Sequence, residues 1–222
     1  MRAGVAAQQA ETAKQVSYQL INAARGPADA CRWAAIAEVS VITMPKYVAF
    51  LRAINVGGHT VKMDYLRRLF ESLGFTNVET FIASGNVIFD SKTKSRRTLE
   101  KKIEAHLQMS LGYEVVTFIR SPADLAAIAG YKPFPDGELK AEGNVLYIGF
   151  LADEPGEEAK QKVLSLRTRI DDFHIRGREL YWLSRKRMGE SEVSGQELAK
   201  VLGMQTTLRN SNTVRKLAVK YW

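Results

Sequence analysis

From position 44 the chain sets short apolar strands and amphipathic helices in one order, strand-helix-strand-strand-helix-strand, and then repeats that order in outline. This constrains the fold more than any other feature. Residues 47–54 form a nearly continuous apolar run rich in aromatic and branched side chains, as expected of a strand buried on both faces. Residues 63–73 place Leu66, Leu69, Phe70 and Leu73 on one helical face, with Asp64 near the start and Gly74 just past the end. Stretches 78–83 and 87–89 flank Ser84, Gly85 and Asn86 and read as strand, tight turn, strand. A helix over 95–111 carries Leu99, Ile103 and Leu107, residues 114–119 read as a strand, and Ser121-Pro122 opens another helix.

The second pass begins with an apolar strand at 145–151 and a helix over 157–170 with Ala159, Val163, Leu166 and Ile170 on one face. Strands 173–176 and 179–183 turn at Gly177, and Ser194 with Glu197 forms a capping box for a helix ending at Gly203. A short strand and a basic helix carrying Val214, Leu217, Ala218 and Tyr221 occupy 206–222. The simplest architecture is an α+β tandem of two ferredoxin-like βαββαβ halves, 44–135 and 136–222. The repeat lies in element order, not in residue identity.

Residues 1–43 differ: twelve alanines, the single Cys31, a balanced charge and one break at Gly26-Pro27. Residues 11–24 could form an alanine-rich helix with Val16, Leu20 and Ile21 grouped, marginal on its own. Two readings stand: Met44 is the true first residue, or the segment is a weakly folded N-terminal extension. One cysteine excludes an intramolecular disulfide framework, and His59, His106 and His174 are too scattered for a local metal motif. No stretch approaches 18 consecutive apolar residues, so no membrane span is expected, and a reducing cytoplasmic setting is. No cofactor is called for.

Charge is unevenly placed. The 222 residues carry a formal net charge of +8, and from Ile175 onward ten basic residues stand against four acidic ones. A field that attracts an anionic partner therefore comes mainly from the C-terminal quarter, although such a tail also serves as solvated surface.

Topology adds a functional expectation. In a βαββαβ unit the first strand-helix loop and the turn between the second and third strands lie at one end. Arg52, Asn55, Gly57 and Gly58 should therefore approach Ser84, Gly85 and Asn86. A glycine-containing loop leading into a helix exposes backbone N–H groups suited to a phosphate or carboxylate. The alternative is that these glycines serve tight turns. Arg52 bears on the choice, because a charged residue at the end of a buried strand needs a partner or a ligand.

Three separated motifs, YVAFLRAINVGG at 47–58, FIASGNVIF at 81–89 and TTLRNSNTVRKL at 206–217, resemble the bacterial domain-of-unknown-function family DUF 1697 over residues 44–217. The resemblance implies two packed ferredoxin-like, or alpha-beta plait, halves and supplies no assigned reaction. Its matching polar positions are Arg52, Asn55, Gly57, Gly58, Ser84, Gly85, Asn86, Arg209, Asn210, Asn212, Thr213 and Lys216. The chain departs from its relatives where they carry Trp and it has Ser211, and where they carry a basic Gly-x-Ser-Lys-like stretch and it has Glu190 and Glu192.

The last motif sets five polar side chains just before a helical pattern, where Ser211, Asn212 or Thr213 can cap it. The sharper reading gives Arg209 a bidentate grip on phosphate, Asn210 and Asn212 a base or amide edge, and Lys216 a point charge. Catalytic signatures are sparse: there is no nucleophile elbow, P-loop or His-Glu-x-x-His. Paired carboxylates such as Asp171-Asp172 sit at element ends, where acidic residues favour the dipole. His59, beside the glycine pair, is the one candidate for acid-base work.

Two functions remain. One is binding of an anionic ligand: a nucleotide-like small molecule, a phosphorylated metabolite, or nucleic acid stacked on Tyr147, Phe150, Tyr181 and Trp182. The RNA-recognition signature is absent from 85–90, and such aromatics also pack between halves. The other is an enzyme on a phosphorylated or nucleotide substrate, worked by His59, Arg52 and Arg209.

Overall fold

A computed structural model describes residues 44–186, 191 and 193–221. The expected helix at 11–24, and Glu190 and Glu192, lie outside the described residues.

The first half runs β1 (Lys46–Leu51), α1 (Met63–Ser72), β2 (Thr76–Thr80), β3 (Asn86–Asp90), α2 (Arg96–Leu111) and β4 (Thr117–Arg120). Its four strands order as β2-β3-β1-β4, every neighbour antiparallel. Helix α1 buries Leu66, Leu69 and Phe70, the stripe the sequence spacing predicts, and the chain leaves it through Gly74 at positive φ. Helix α2 starts where the Ser95 side chain accepts from the Thr98 N–H and ends at Gly112, left-handed at φ 79°. The strand expected over 78–83 sits earlier, at Thr76–Thr80, because Ile82 takes φ 51°, which no extended strand accommodates. The strand expected from 114 begins at Thr117.

Two helices, α3 (Pro122–Gly130) and α4 (Asp136–Lys140), carry the chain onward. A capping box opens α3: the Ser121 side chain takes the Asp124 N–H, and Asp124 takes the Ser121 N–H. The second half runs β5 (Val145–Leu151), α5 (Glu157–Leu164), β6 (Asp171–Arg176), β7 (Glu179–Ser184), α6 (Gly195–Leu202), β8 (Thr206–Asn210) and α7 (Ser211–Tyr221). Its sheet orders as β6-β7-β5-β8, again all antiparallel, so each strand of the first sheet has a counterpart in the second. The described residues thus form an α+β fold of two similar halves, with two four-stranded sheets and seven helices. Helix α5 is shorter than the expected 157–170. The Thr168 hydroxyl accepts from the Ile170 and Asp171 N–H groups and turns the chain into β6.

Side-chain alternation on β1 and β5 explains how the halves pack. Tyr47, Ala49 and Leu51 join a cluster with α1 and α2, while Val48 and Phe50 face the other way. They meet Leu146, Ile148 and Phe150 of β5, together with Tyr181, Leu125 and Ile128 of α3, and Val214 and Leu217 of α7. The Phe50 and Phe150 rings stack at 3.8 Å and 10°. A third cluster covers the outer face of the second sheet, with Trp182, Phe173, Leu198 and Leu202. Both faces of each sheet are buried, which is why β1 and β5 read as continuous apolar runs. The expectation that the aromatics of β5 and β7 pack rather than stack bases holds for Phe150, Tyr181 and Trp182, each no more than 2% exposed.

Candidate functional site

Across the shared core the halves grip one another through two buried arginines. In register, Arg120 of β4 lies opposite Val48 of β1, and Arg209 of β8 lies opposite Ile148 of β5. Arg209 reaches into the first half. Its Nε donates to Asn86 Oδ1 at 2.6 Å and its Nη2 to the carbonyls of Leu51 and Ser84 at 2.8 and 2.7 Å. Its Nη1 donates to Thr207 Oγ1 and the Leu208 carbonyl, so all five N–H groups are used within the chain. Arg120 does the same in reverse, donating to Glu179 Oε1 at 2.7 Å and to the carbonyls of Leu151 and Arg178 at 3.0 Å. Glu179 pairs with Phe150 as Asn86 pairs with Phe50, so the two clamps occupy equivalent positions. Burial lowers the Arg209 pKa to about 10, and Arg209 has no carboxylate among its partners in the described residues. Burial also lowers that of Arg120, with Glu179 opposing the shift.

The three sequence motifs do converge at one end of the first half. Asn55 donates to the Ala83 carbonyl at 2.9 Å and accepts from the Val61 N–H, closing the strand-helix loop onto the hairpin. Asn86 donates to Ser84 Oγ and the Phe81 carbonyl while Arg209 binds its oxygen. A Cβ on Gly85 would stand 2.9 Å from Ile54 Cβ, so that glycine serves close packing at φ 70°. Arg209, Asn86, Asn55, Ser84 and Gly85 therefore form a knot that spends its polar groups on the fold. The rest of the expected set lies outside it. Gly57, Gly58 and His59 are exposed, and the His59 ring stacks on Tyr113 at 3.8 Å. Asn210 Oδ1 accepts from the Asn212 N–H at the start of α7, Thr213 is half-buried and Lys216 is exposed. Arg52 is half-buried, and its N–H donates to the Val116 carbonyl.

Other residues line a cleft at the seam of the halves. This cleft, of about 350 Å³, runs beside β4, between α2 and the second half, and its lining includes Arg96, Arg97, Glu100, Lys101, Glu104 and Arg178, together with Val116 and Asp153. Strand β4 is an edge strand, and its outward N–H groups need acceptors. Glu100 accepts from the Ile119 N–H and Glu104 from the Thr117 N–H, both at 2.9 Å. Burial raises both carboxyls above the ordinary glutamate range, and the backbone bonds oppose it. Arg96 pairs with Asp124 at 2.9 Å, and Arg97 pairs loosely with Asp153 at 3.6 Å. Lys101 and Arg178 make no ion pair among the described residues, although their charges act on Glu104 and Glu100. Sequence reasoning missed this cleft. Its signal was present in Glu100 and Glu104, one turn apart and each directly after a core position of α2. Arg120 was also missed, although a charge closing an apolar strand is the sign that singled out Arg52. Among the described residues no group of three His, Cys, Asp or Glu could hold a metal, and no helix is long and apolar enough to cross a membrane.

These features define an α+β protein of two similar halves with a charged cleft at their seam. Residues 44–181 match the family model for Protein of unknown function (DUF1697), and the chain belongs to that family. The fold is similar to that of the conserved bacterial protein SP0830 from Streptococcus pneumoniae, with a TM-score of 0.61 at 23% identity, over 80% of this chain and 98% of that one. No curated protein matches the chain.

Proposed function

We propose that the protein binds an anionic, nucleotide-like ligand in the seam cleft, with Arg96, Arg97, Lys101 and Arg178 on its phosphates. The observation that carries this reading is a cleft of about 350 Å³ whose lining sets four cationic side chains beside Glu100, Glu104 and Asp153, with Lys101 and Arg178 making no ion pair among the described residues. Glu100 and Glu104 each spend one oxygen on β4 and keep the other for hydroxyl or amino donors, which a ribose or base has and inorganic phosphate lacks. Of the residues expected from sequence, Arg52 is joined to this cleft only by its backbone bond to Val116 and is not part of the lining. A small nucleotide is favoured over nucleic acid because Phe150, Tyr181 and Trp182 are buried and offer no stacking platform. The repeated strand order supports reading each half as a ferredoxin-like plait, and the single cysteine fits a cytoplasmic setting.

A second reading, an enzyme on such a ligand, rests on the same two glutamates. A carboxyl held above its ordinary range beside bound phosphate can hold a proton for transfer. Calorimetric titration of the full chain with ADP, AMP, pyrophosphate and a short RNA tests the first reading. Lys101→Gln and Arg178→Gln should each weaken ADP binding by about tenfold or more, the range of charge-assisted hydrogen bonds. ADP that fails to bind, or binds the double variant as tightly, overturns it. Release of product that stops in Glu100→Gln would establish the enzyme.

A further inference from the structure

A second cavity, of about 200 Å³, lies between α3 and the β6–β7 hairpin. Its floor includes Ile128, and its polar groups are Asp124, Arg176, Glu179 and Tyr181. Tyr181 is 2% exposed, yet its hydroxyl has no hydrogen-bond partner among the described residues. The ring is packed in the core while the hydroxyl opens onto the cavity, unlike the Tyr113 and Ser184 hydroxyls, which are buried without a partner. The other three groups also keep capacity in hand. Asp124 uses Oδ2 on Ser121 and Arg96 and has no bond to Oδ1. Glu179 uses Oε1 on Arg120 and has none to Oε2. The Arg176 guanidinium lies 4.3 Å over the Tyr131 ring and makes no ion pair among the described residues.

The charge pattern selects the ligand. Behind each carboxylate stands an arginine that balances it, Arg96 for Asp124 and Arg120 for Glu179. A bare anion entering the cavity meets two carboxylates, and a bare amine meets Arg176 without offering it a counter-charge. A compact molecule with both signs satisfies all of these groups at once. We propose that this cavity binds a small zwitterion of the α-amino acid class, its ammonium on Asp124 Oδ1 and Glu179 Oε2, its carboxylate on Arg176, and its remaining hydrogen bond from the Tyr181 hydroxyl. The ligand's side chain then lies against Ile128 and Ala127.

The test is calorimetric titration of the full chain with L-alanine, L-serine, L-leucine and L-phenylalanine, alongside propylamine, propionate and ribose. At least one amino acid should bind, with the single-charge compounds at least about tenfold weaker. Tyr181→Phe should weaken that amino acid about three- to tenfold while leaving the ligand-free melting temperature unchanged, since the hydroxyl it removes has no partner in the fold. Arg176→Gln, a substitution at an exposed position, should weaken it more than about tenfold. Absence of binding by every amino acid at about 10 mM overturns the proposal. So does equal binding of propylamine, propionate or ribose, or an affinity that both variants leave untouched. Nucleotide binding in the larger cleft does not enter these outcomes.

Discussion

Arg120 and Arg209 occupy equivalent places and do equivalent work, but only one of them faces a charge. Replacing Arg120 by Met strands the Glu179 carboxylate, 15% exposed, together with the carbonyls of Leu151 and Arg178. That loss should cost about 3–5 kcal/mol, the range for removing one partner of a buried pair. Arg209→Met leaves only neutral acceptors and removes a buried cation without a carboxylate, so it should cost less, about 1–3 kcal/mol. Denaturant midpoints of the two variants check the order. Glu100 and Glu104 give a pH signature of opposite sense to that of most carboxylates. Their folded-state pKa values are raised, so the folded protein holds more protons than the unfolded chain. Stability should therefore fall as pH rises from the unfolded glutamate value through the raised one. Gln in both positions keeps an acceptor for β4 and should flatten that fall, read as melting temperature against pH in variant and parent.

At the scale of elements, the two glycine sites that look alike in sequence differ in space. Gly85 at φ 70° has Ile54 and Leu51 within 3.1 Å of where a Cβ would stand, while Gly57 at φ 62° has nothing within 4 Å. Gly57→Ala should cost about 1–2 kcal/mol from backbone strain alone. Gly85→Ala should cost more, because the hairpin must also move off β1, and paired denaturation curves will rank the two. Most elements were legible because their signals are local: the α1 stripe, the Ser121 and Ser194 caps, and the apolar runs of β1 and β5. The errors fell where a non-local or side-chain contact decided the outcome. Thr168 ended α5 early, and the left-handed Ile82 shortened β2. The convergence of residues 52–58 with 84–86 and 209 was legible from topology, but the use of their polar groups was not. Whether Arg209 faces solvent or an opposing hairpin depends on how two sheets dock, and no local pattern records that.

Taken as a whole, the two halves are joined by one central cluster to which both sheets contribute, and by clamps that each half sets on the other. The halves should therefore unfold together. Scanning calorimetry should give a van't Hoff enthalpy equal to the calorimetric one for this unit, and two separated transitions would contradict the interlock. The same docking creates the seam cleft, since α2 and β4 supply one wall and Asp153 and Arg178 the other. Neither half has the site alone. The most direct measurement is amide hydrogen exchange on the full chain with and without ADP. Added protection should appear on α2, around Val116 and Thr117, and at Ala152, Asp153 and Arg178. Protection confined to 57–60 and 209–216, or absent altogether, would contradict a nucleotide site at the seam.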